Sequence, residues 1–245
     1  MTAFEERLWS LGFQRYHHEH PFHVLMHEGQ LTANQLRQWV LNRYYYQTRI
    51  PIKDALIVAK SEDYDFRRMW ARRIHDQDGD AETAGGLALW RRLAQAVGIS
   101  ESTLQELPSV VLPGVRFACD AYVALVREAT LVEAVAASLT ELFAPTLMSA
   151  RIAAWERHYP WVDPEGLAYF RARVSQASQD SREALDFVLR RAVSAEEQNR
   201  CVAALVRKTE ILWHILDCLY AAYVCPHCAG SRNPNEQREP SQIAA

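Results

Sequence analysis

The sequence lacks the features that mark several specialised protein classes. It has 9 glycines and 10 prolines among 245 residues, which excludes collagen-like and low-complexity chains. It has no basic excess, since 27 Lys and Arg stand against 30 Asp and Glu, and domains that bind nucleic acid usually carry one. No run of 18 uninterrupted apolar residues occurs, so no membrane-spanning helix is predicted. We therefore expect neither nucleic acid nor membrane as a partner.

Recognisable catalytic and targeting signals are absent as well. There is no glycine-rich phosphate loop, no G-x-S-x-G and no H-E-x-x-H pattern. The segment from Met1 to Arg7 carries early acids where a secretory signal has an apolar core. Cysteine is scarce and odd in number, at 5 residues. We expect a cytoplasmic protein with free thiols.

What is present is a helical period. Hydrophobic residues make up 49% of the chain, enough for a substantial core, and they recur every three or four positions. The predicted fold class is all-α, a compact bundle formed by one domain over residues 1–224, followed by a polar, mobile tail over 225–245. Pro51 and Pro145 lie inside otherwise helical stretches and are predicted to break or kink them. The predicted helices cover 2–11, 19–28, 33–60, 63–77, 83–97, 114–129, 131–157, 164–192 and 195–224.

Polar side chains at helical spacing suggest a binding pocket. Arg43 and Gln47 share one helix face, and Arg73 and Gln77 share another. A buried Arg beside a Gln suits a ligand that carries carboxylates, although surface ion pairs explain the same spacing. Tyr16 and His17 lie in a histidine-rich stretch and can exchange hydrogen bonds near neutral pH, but histidines that serve as helix caps are common too.

A second polar stripe occurs on a later helix. Tyr169, Arg173, Gln176 and Asp180 fall at i, i+4, i+7 and i+11, which describes either a solvated face or the wall of an interior pocket. Glu141 and Arg151 flank the expected break at Pro145, and kinks often mark functional places.

Two patterns leave metal binding open. Glu210, His214 and Asp217 stand at i, i+4 and i+7 near Lys208, a spacing that can place ligands on one iron or manganese, although a hydrated acidic face has the same pattern. Cys225 and Cys228 form one C-x-x-C pair, which binds zinc only with two further ligands.

Several longer strings resemble pyrroloquinoline quinone synthase, over residues from about 10 to 223. They follow one another in the family's order and spacing, which makes the likeness specific. The strings are Tyr16 through His23, Asn42 through Gln47, Ile50 through Ala55, Leu112 through Phe117, Ser138 through Pro145, His158 through Trp161, Tyr169 through Arg173 and Ile211 through Trp213.

The resemblance implies a heme-oxygenase-like helical bundle that acts as a homodimer. It implies an oxidase for the last step of cofactor synthesis, in which a polyanionic quinone precursor closes a ring and is oxidised by O2 with release of H2O2. No metal or organic cofactor is required in this family. Because the substrate's own quinone holds electrons, the protein moves protons, holds anions and shelters O2.

The resemblance also implies a set of site residues. Arg43, Arg73, Arg151 and Lys208 are expected to hold carboxylates and quinone oxygens, and His17 to exchange a proton. Tyr169 and Arg173 are expected to stabilise reduced oxygen. The predicted substrate-binding residues are Tyr16, Arg43, Gln47, Lys53, Arg73, Tyr122, Glu141, Arg151 and Lys208, and the predicted catalytic residues are His17, Gln77, Met148, Tyr169 and Arg173.

At two positions the chain departs from the family pattern. Gln77 and Met148 stand where the family has histidines, one expected near the substrate and one beside the O2 site. Neither can cycle a proton near pH 7, which predicts slower oxidation without loss of binding. Two alternatives follow: a relative that binds the quinone without oxidising it, and a metal-dependent oxidase that uses Glu141, Glu210, His214 and Asp217.

Overall fold

All regular secondary structure in the described part of the chain is helical, which confirms the all-α prediction. The computed structural model describes residues 1–225, apart from the side chain at position 175. The α-helices in chain order are α1 (Ala3–Arg15), α2 (Pro21–His27), α3 (Ala33–Ala59), α4 (Tyr64–Asp78), α5 (Gly86–Ala96), α6 (Glu101–Gln105), α7 (Leu107–Val110), α8 (Pro113–Glu128), α9 (Leu131–Ala137), α10 (Ala144–His158), α11 (Ala168–Arg191) and α12 (Ala195–Leu219). Tighter 3-10 turns cover His17–Glu19, Ser138–Phe143 and Pro164–Leu167, and a π-helical turn covers Tyr220–Val224.

Local sequence signals set the ends of the helices that carry the site. The backbone N–H of Thr32 donates to Gln35 Oε1 (2.8 Å), and the N–H of Gln35 donates to Thr32 Oγ1 (3.3 Å), so a complete capping box starts α3. Asp63 caps α4 through its carboxylate. Helices α3 and α4 thereby begin within a residue of their predicted starts. The short helices α6 and α7 were not predicted.

The two prolines behave differently. Pro145 stands in the first turn of α10, after the 3-10 turn Ser138–Phe143, so the predicted break of the stretch 131–157 is confirmed. Pro51 is buried inside α3, which runs unbroken on both sides of it, so the helix does not end there; a kink at Pro51 stays a prediction. Because α3 packs against α4, α5 and α8, tertiary contacts outweigh one missing backbone hydrogen bond.

The core beneath the site is a cluster of large aromatic rings. Trp39 lies between Trp90 (ring centroids 5.6 Å apart) and Trp155 (5.9 Å), and Phe170 closes the cluster against Trp155 (5.8 Å). All of these rings are buried. Burial of one such side chain contributes roughly 1.5–3 kcal/mol, so the cluster is a rigid floor for the groups above it.

One stretch, Leu131–His158, is apolar and long enough to cross a membrane by length and composition. In the fold, 61% of its most apolar window is buried, and the 3-10 turn Ser138–Phe143 interrupts it. A buried core helix of a globular protein can have the same length and apolar composition, and this stretch is packed inside the bundle in that way.

The cysteines and the tail are only partly covered by the structure. Cys119, Cys201 and Cys218 are free, whereas Cys225 is disulfide-bonded, so the prediction of free thiols is wrong for that residue. Cys228 and the rest of the predicted tail, 226–245, lie outside the described residues. The domain limits of 1–224 and 225–245 stay a prediction.

Candidate active site

A cavity of about 70 Å³ lies between α3, α4, α10 and α11, next to the aromatic cluster. Most of the site residues predicted from the sequence line it, although they come from distant parts of the chain. The predicted residues at its wall are Tyr16, Arg43, Gln47, Arg73, Gln77, Glu141, Met148, Arg151, Tyr169 and Arg173.

Three residues of the polar stripe on α11, Tyr169, Arg173 and Asp180, line this cavity, whereas Gln176 does not. Tyr169 and Asp180 are buried, and Arg173 exposes 16% of its side chain. The pocket-wall reading of the stripe is therefore the one that the fold supports.

Lys208 and Tyr122 lie directly behind the wall. The Lys208 ammonium donates to the hydroxyl of Tyr46 (2.8 Å) and lies 3.4 Å from the centre of the Tyr122 ring. Burial, followed by repulsion from Arg43, lowers the pKa of Lys208 well below its ordinary 10.5. Lys208 therefore holds its proton weakly until an anion arrives.

Lys53 is committed to protein groups. Its ammonium forms a buried ion pair with Asp54 (2.6 Å) and donates to Ser138 Oγ (3.1 Å). Asp54 also accepts from the indole N–H of Trp70 (2.8 Å). The charge of Lys53 is thus compensated at the cavity wall.

Two of the cavity arginines are neutralised by carboxylates. Arg73 pairs with Glu141 (Nη1 to Oε2, 2.9 Å) and with Asp180 (Nε to Oδ1, 3.8 Å), and it also donates to the backbone carbonyl of Asp180. Arg173 pairs with Asp180 at 3.5 Å. Burial favours the protonated form of Glu141, but Arg73 and the neighbouring cations outweigh it and lower its pKa. Burial raises the pKa of Asp180 to about 6. At pH 7 this network is ionised and close to balance.

Arg43 and Arg151 have no such partner. Among the described residues no carboxylate lies within 4 Å of either guanidinium. Arg43 lies 3.9 Å above the ring of Tyr46. Arg151 is 3% exposed, lies 4.9 Å above the Trp39 ring and contacts His23 Nε2 (3.2 Å), while its Nε has no partner. Burial, with Arg43 as the next cause, lowers the pKa of Arg151 to about 9. The cavity therefore presents two uncompensated cations.

A neutral hydrogen-bond network faces these cations. Gln47 Oε1 accepts from Gln77 Nε2 (3.0 Å) and from the hydroxyl of Tyr169 (2.9 Å). The absence of a side chain at Gly86 leaves space for the Gln77 side chain, because a Cβ at position 86 would lie 2.4 Å from Gln77 Oε1. Burial raises the pKa of Tyr169, so its hydroxyl remains a donor. No group in this network titrates near pH 7.

Proton-accepting capacity comes from the Tyr16–His17 pair. The two rings meet edge to face at 4.3 Å, and His17 lies behind the wall with no partner on its buried Nδ1. Burial, then Arg43 and Arg151, lowers the pKa of His17 well below 6.5, so its ring is neutral at pH 7. Burial raises the pKa of Tyr16 to about 12. His17 can accept a proton, and Tyr16 can donate a hydrogen bond.

Some wall residues were not predicted. Tyr46, Asp54, Trp90 and Thr140 line the cavity, and Asp180 joins them from the α11 stripe. The adjacent pair Lys53-Asp54 was the available signal for Asp54. Nothing local distinguishes Tyr46 from the neighbouring tyrosines, since its place in the site depends on the fold, which sets it in the cavity wall and brings Lys208 on α12 to its hydroxyl.

The residues proposed for a metal centre do not share a site. Glu141 lines the cavity on Arg73, whereas Glu210 pairs with Arg207 (3.4 Å) and Asp217 contacts His20 Nε2 (3.1 Å). Across residues 1–225 no group of three or more His, Cys, Asp or Glu could hold a metal ion.

Comparison with known proteins places these residues in a family context. Residues 7–217 match the model of the TENA/THI-4/PQQC family. The chain is 50% identical over 224 residues to the pyrroloquinoline-quinone synthase of Rhizobium meliloti (strain 1021), covering 91% of this chain and 87% of the relative. It is 45% identical over 241 residues to that of Xanthomonas axonopodis pv. citri (strain 306), covering 98% and 96%.

Two solved structures share the fold at low sequence identity. A protein with a heme oxygenase-like fold from Shewanella denitrificans superposes with a TM-score of 0.72 at 14% identity, over 94% of this chain and 96% of that one. A TenA homolog from Pseudomonas syringae pv. tomato gives 0.70 at 14% identity, over 89% and 92%. The predicted heme-oxygenase-like bundle is confirmed.

Proposed function

The chain belongs to the TENA/THI-4/PQQC family, within it to the pyrroloquinoline-quinone synthases, and we propose that its cationic cavity binds the quinone precursor, closes its ring and passes its electrons to O2. The oxidase function in pyrroloquinoline quinone biosynthesis that was predicted from the sequence is confirmed by the relatives. The residue roles, the release of H2O2 and the independence from added cofactors are the proposal.

The pair of uncompensated guanidiniums, Arg43 and Arg151, carries this proposal. A buried cation without a carboxylate is unfavourable unless a ligand supplies the negative charge. Guanidinium groups match carboxylates through forked hydrogen bonds, and they also lie flat against aromatic rings. A planar quinone with several carboxylates offers both kinds of contact.

The remaining groups supply proton transfer. Neutral His17 is suited to accept a proton from the precursor during ring closure. Tyr16 and Tyr169 keep their hydroxyl protons and donate hydrogen bonds to oxygens on which charge develops. Each two-electron oxidation transfers two electrons and two protons from the substrate to O2, which leaves as H2O2. The quinone itself stores the electrons between these steps, so we expect no metal or organic cofactor.

The residues at positions 77 and 148 lower the expected rate. Gln77 fills its place as a hydrogen-bond donor to Gln47, and Met148 offers only a thioether. Proton transfer by a positioned side chain contributes typically about 10²–10⁴-fold, so we expect slow oxidation with binding retained. The same observation favours a second candidate, a protein that holds the quinone or its precursor without oxidising it.

We extend the proposal to partners and location. The ligand is a small polyanionic quinone precursor, and the protein acts as a cytoplasmic homodimer. Sedimentation equilibrium at micromolar concentration tests the dimer, and a single species with the mass of one chain contradicts it.

The decisive experiment is a turnover assay with metal-stripped protein and the precursor under air. Quinone absorbance and O2 uptake are followed together, with the exposed ion-pair variant Arg171→Met as the control for arginine loss outside the cavity. We expect slow quinone formation with O2 consumption, lost in Arg151→Met and kept in Arg171→Met. Tight binding of unchanged precursor supports the second candidate. If the protein neither binds nor converts the precursor, both candidate functions are refuted.

A further inference from the structure

Met148 is placed unlike the other methionines of the chain. Its thioether lines the cavity and accepts a long hydrogen bond from Arg151 Nη1 (3.6 Å). Met26 is fully buried in the core, Met69 is half-buried against the core outside the cavity, and Met1 is 78% exposed. A polarizable sulfur thus lies in the wall of the cavity in which the proposed reaction takes place.

We propose that Met148 is a peroxide-reactive site whose oxidation to the sulfoxide lowers the affinity of the cavity for anions. The physiological source of the peroxide, the enzyme's own H2O2, rests on the proposed function. A lone pair on Met148 Sδ attacks one oxygen of H2O2, the S–O bond forms and the O–O bond breaks. Sulfur loses two electrons, the departing hydroxide takes the remaining proton, and water leaves.

The surroundings of the thioether allow this reaction. A thioether has two lone pairs, and the 3.6 Å contact with Arg151 engages one of them. The other is available to peroxide in the cavity. Met148 is half-buried, so small polar oxidants reach it while bulk reductants are hindered.

Oxidation of Met148 weakens anion binding because of the unpaired charge of Arg151. Its guanidinium has no carboxylate partner, and its Nε has no hydrogen-bond partner at all. A sulfoxide oxygen on Met148 is a far stronger acceptor than the sulfur, and it forms next to Nη1. The oxygen then competes with a ligand carboxylate for the same donors and adds bulk to the wall. Oxidation therefore acts as product feedback on the site.

The test treats the purified full-length protein with H2O2 in the absence of precursor. Peptide mass spectrometry measures the gain of one oxygen atom at each methionine over time, and fluorescence titration measures the Kd for pyrroloquinoline quinone. We expect Met148 to be oxidised several-fold faster than Met69, which is also half-buried but lies outside the cavity. Binding should be roughly tenfold weaker once Met148 is oxidised, as for loss of one charge-assisted hydrogen bond.

Two variants serve as controls. In Met148→Leu, which has a similar volume but no sulfur, peroxide should leave the Kd at that variant's own untreated value. In Met69→Leu the loss of affinity should persist. Oxidation of Met148 no faster than that of Met69, or an unchanged Kd after complete oxidation, overturns the proposal.

The outcome is separable from that of the proposed function. Added H2O2 tests Met148 whether or not the protein makes peroxide, and O2 uptake in the turnover assay tests the oxidase. Selective oxidation by added H2O2 with weakened binding, in a protein that consumes no O2, supports the site and refutes the function.

Discussion

Replacing Arg151 by Met is expected to stabilise the protein while it destroys the site. The lowering of the pKa of Arg151 from 12.5 to about 9 reflects how unfavourable this buried charge is without a carboxylate. At about 1.4 kcal/mol for each pKa unit, keeping the guanidinium charged costs roughly 5 kcal/mol of folding free energy. An uncharged side chain of similar size escapes that cost.

Lost contacts offset part of the gain. The variant leaves His23 Nε2 buried without its partner, which costs about 1–3 kcal/mol, and gives up the cation–π contact with Trp39, worth about 1–2 kcal/mol. These terms leave a net gain of about 0–3 kcal/mol, so we expect the free energy of unfolding to rise by up to about 3 kcal/mol. For a chain of this size that raises Tm by up to about 12 °C.

Arg73→Met is the matched comparison, because it removes a buried arginine that does have partners. Without Arg73, the carboxylates of Glu141 and Asp180 lose an ion pair, and breaking a buried pair costs about 3–5 kcal/mol. Thermal unfolding followed by circular dichroism at pH 7 should move Tm up in Arg151→Met and down in Arg73→Met, with quinone binding lost in both. If both variants lower Tm to the same extent, the charge assignment is wrong.

Three further predictions concern groups around the cavity. Because burial lowers the pKa of Lys208, a bound polyanion should raise that pKa, and binding should take up a proton. Calorimetry in two buffers of different ionisation heat detects this proton uptake. Lys208→Met should abolish the uptake, and an equal uptake in the variant contradicts the assignment. Gln77→His should raise the single-turnover oxidation rate by about 10²-fold or more with an unchanged Kd, and an unchanged rate would show that proton transfer at this position is not limiting. Gly86→Ala places a Cβ 2.4 Å from Gln77 Oε1, so turnover should fall about tenfold while Tm drops by only a few degrees; normal turnover would mean that Gln77 does not need its present position.

Much of the fold was predictable because its signals are local. The capping boxes at Thr32 and Ser194 and the proline at 145 set helix ends through neighbours within a few residues. That α3 continues through Pro51 depends on the packing around it, which no local pattern records.

The candidate site was predictable as a set of residues and unpredictable as a charge distribution. Helical spacing and the family likeness placed Arg43, Arg73, Arg151 and Arg173 in one pocket, and the structure brings them there. The sequence treats these arginines alike, although their states differ. Arg73 and Arg173 are neutralised, while Arg43 and Arg151 are not.

The amino-acid sequence by itself determined the helical class, the starts of α3 and α4 and the identity of the polar groups, since these depend on residues close together along the chain. Only the tertiary structure decided which cations have partners. Arg73 meets Glu141 and Asp180 across 68 and 107 positions of sequence, and Arg151 meets none. Coulombic compensation acts through space and grows as water is excluded, so folding decides which charges are left for a ligand.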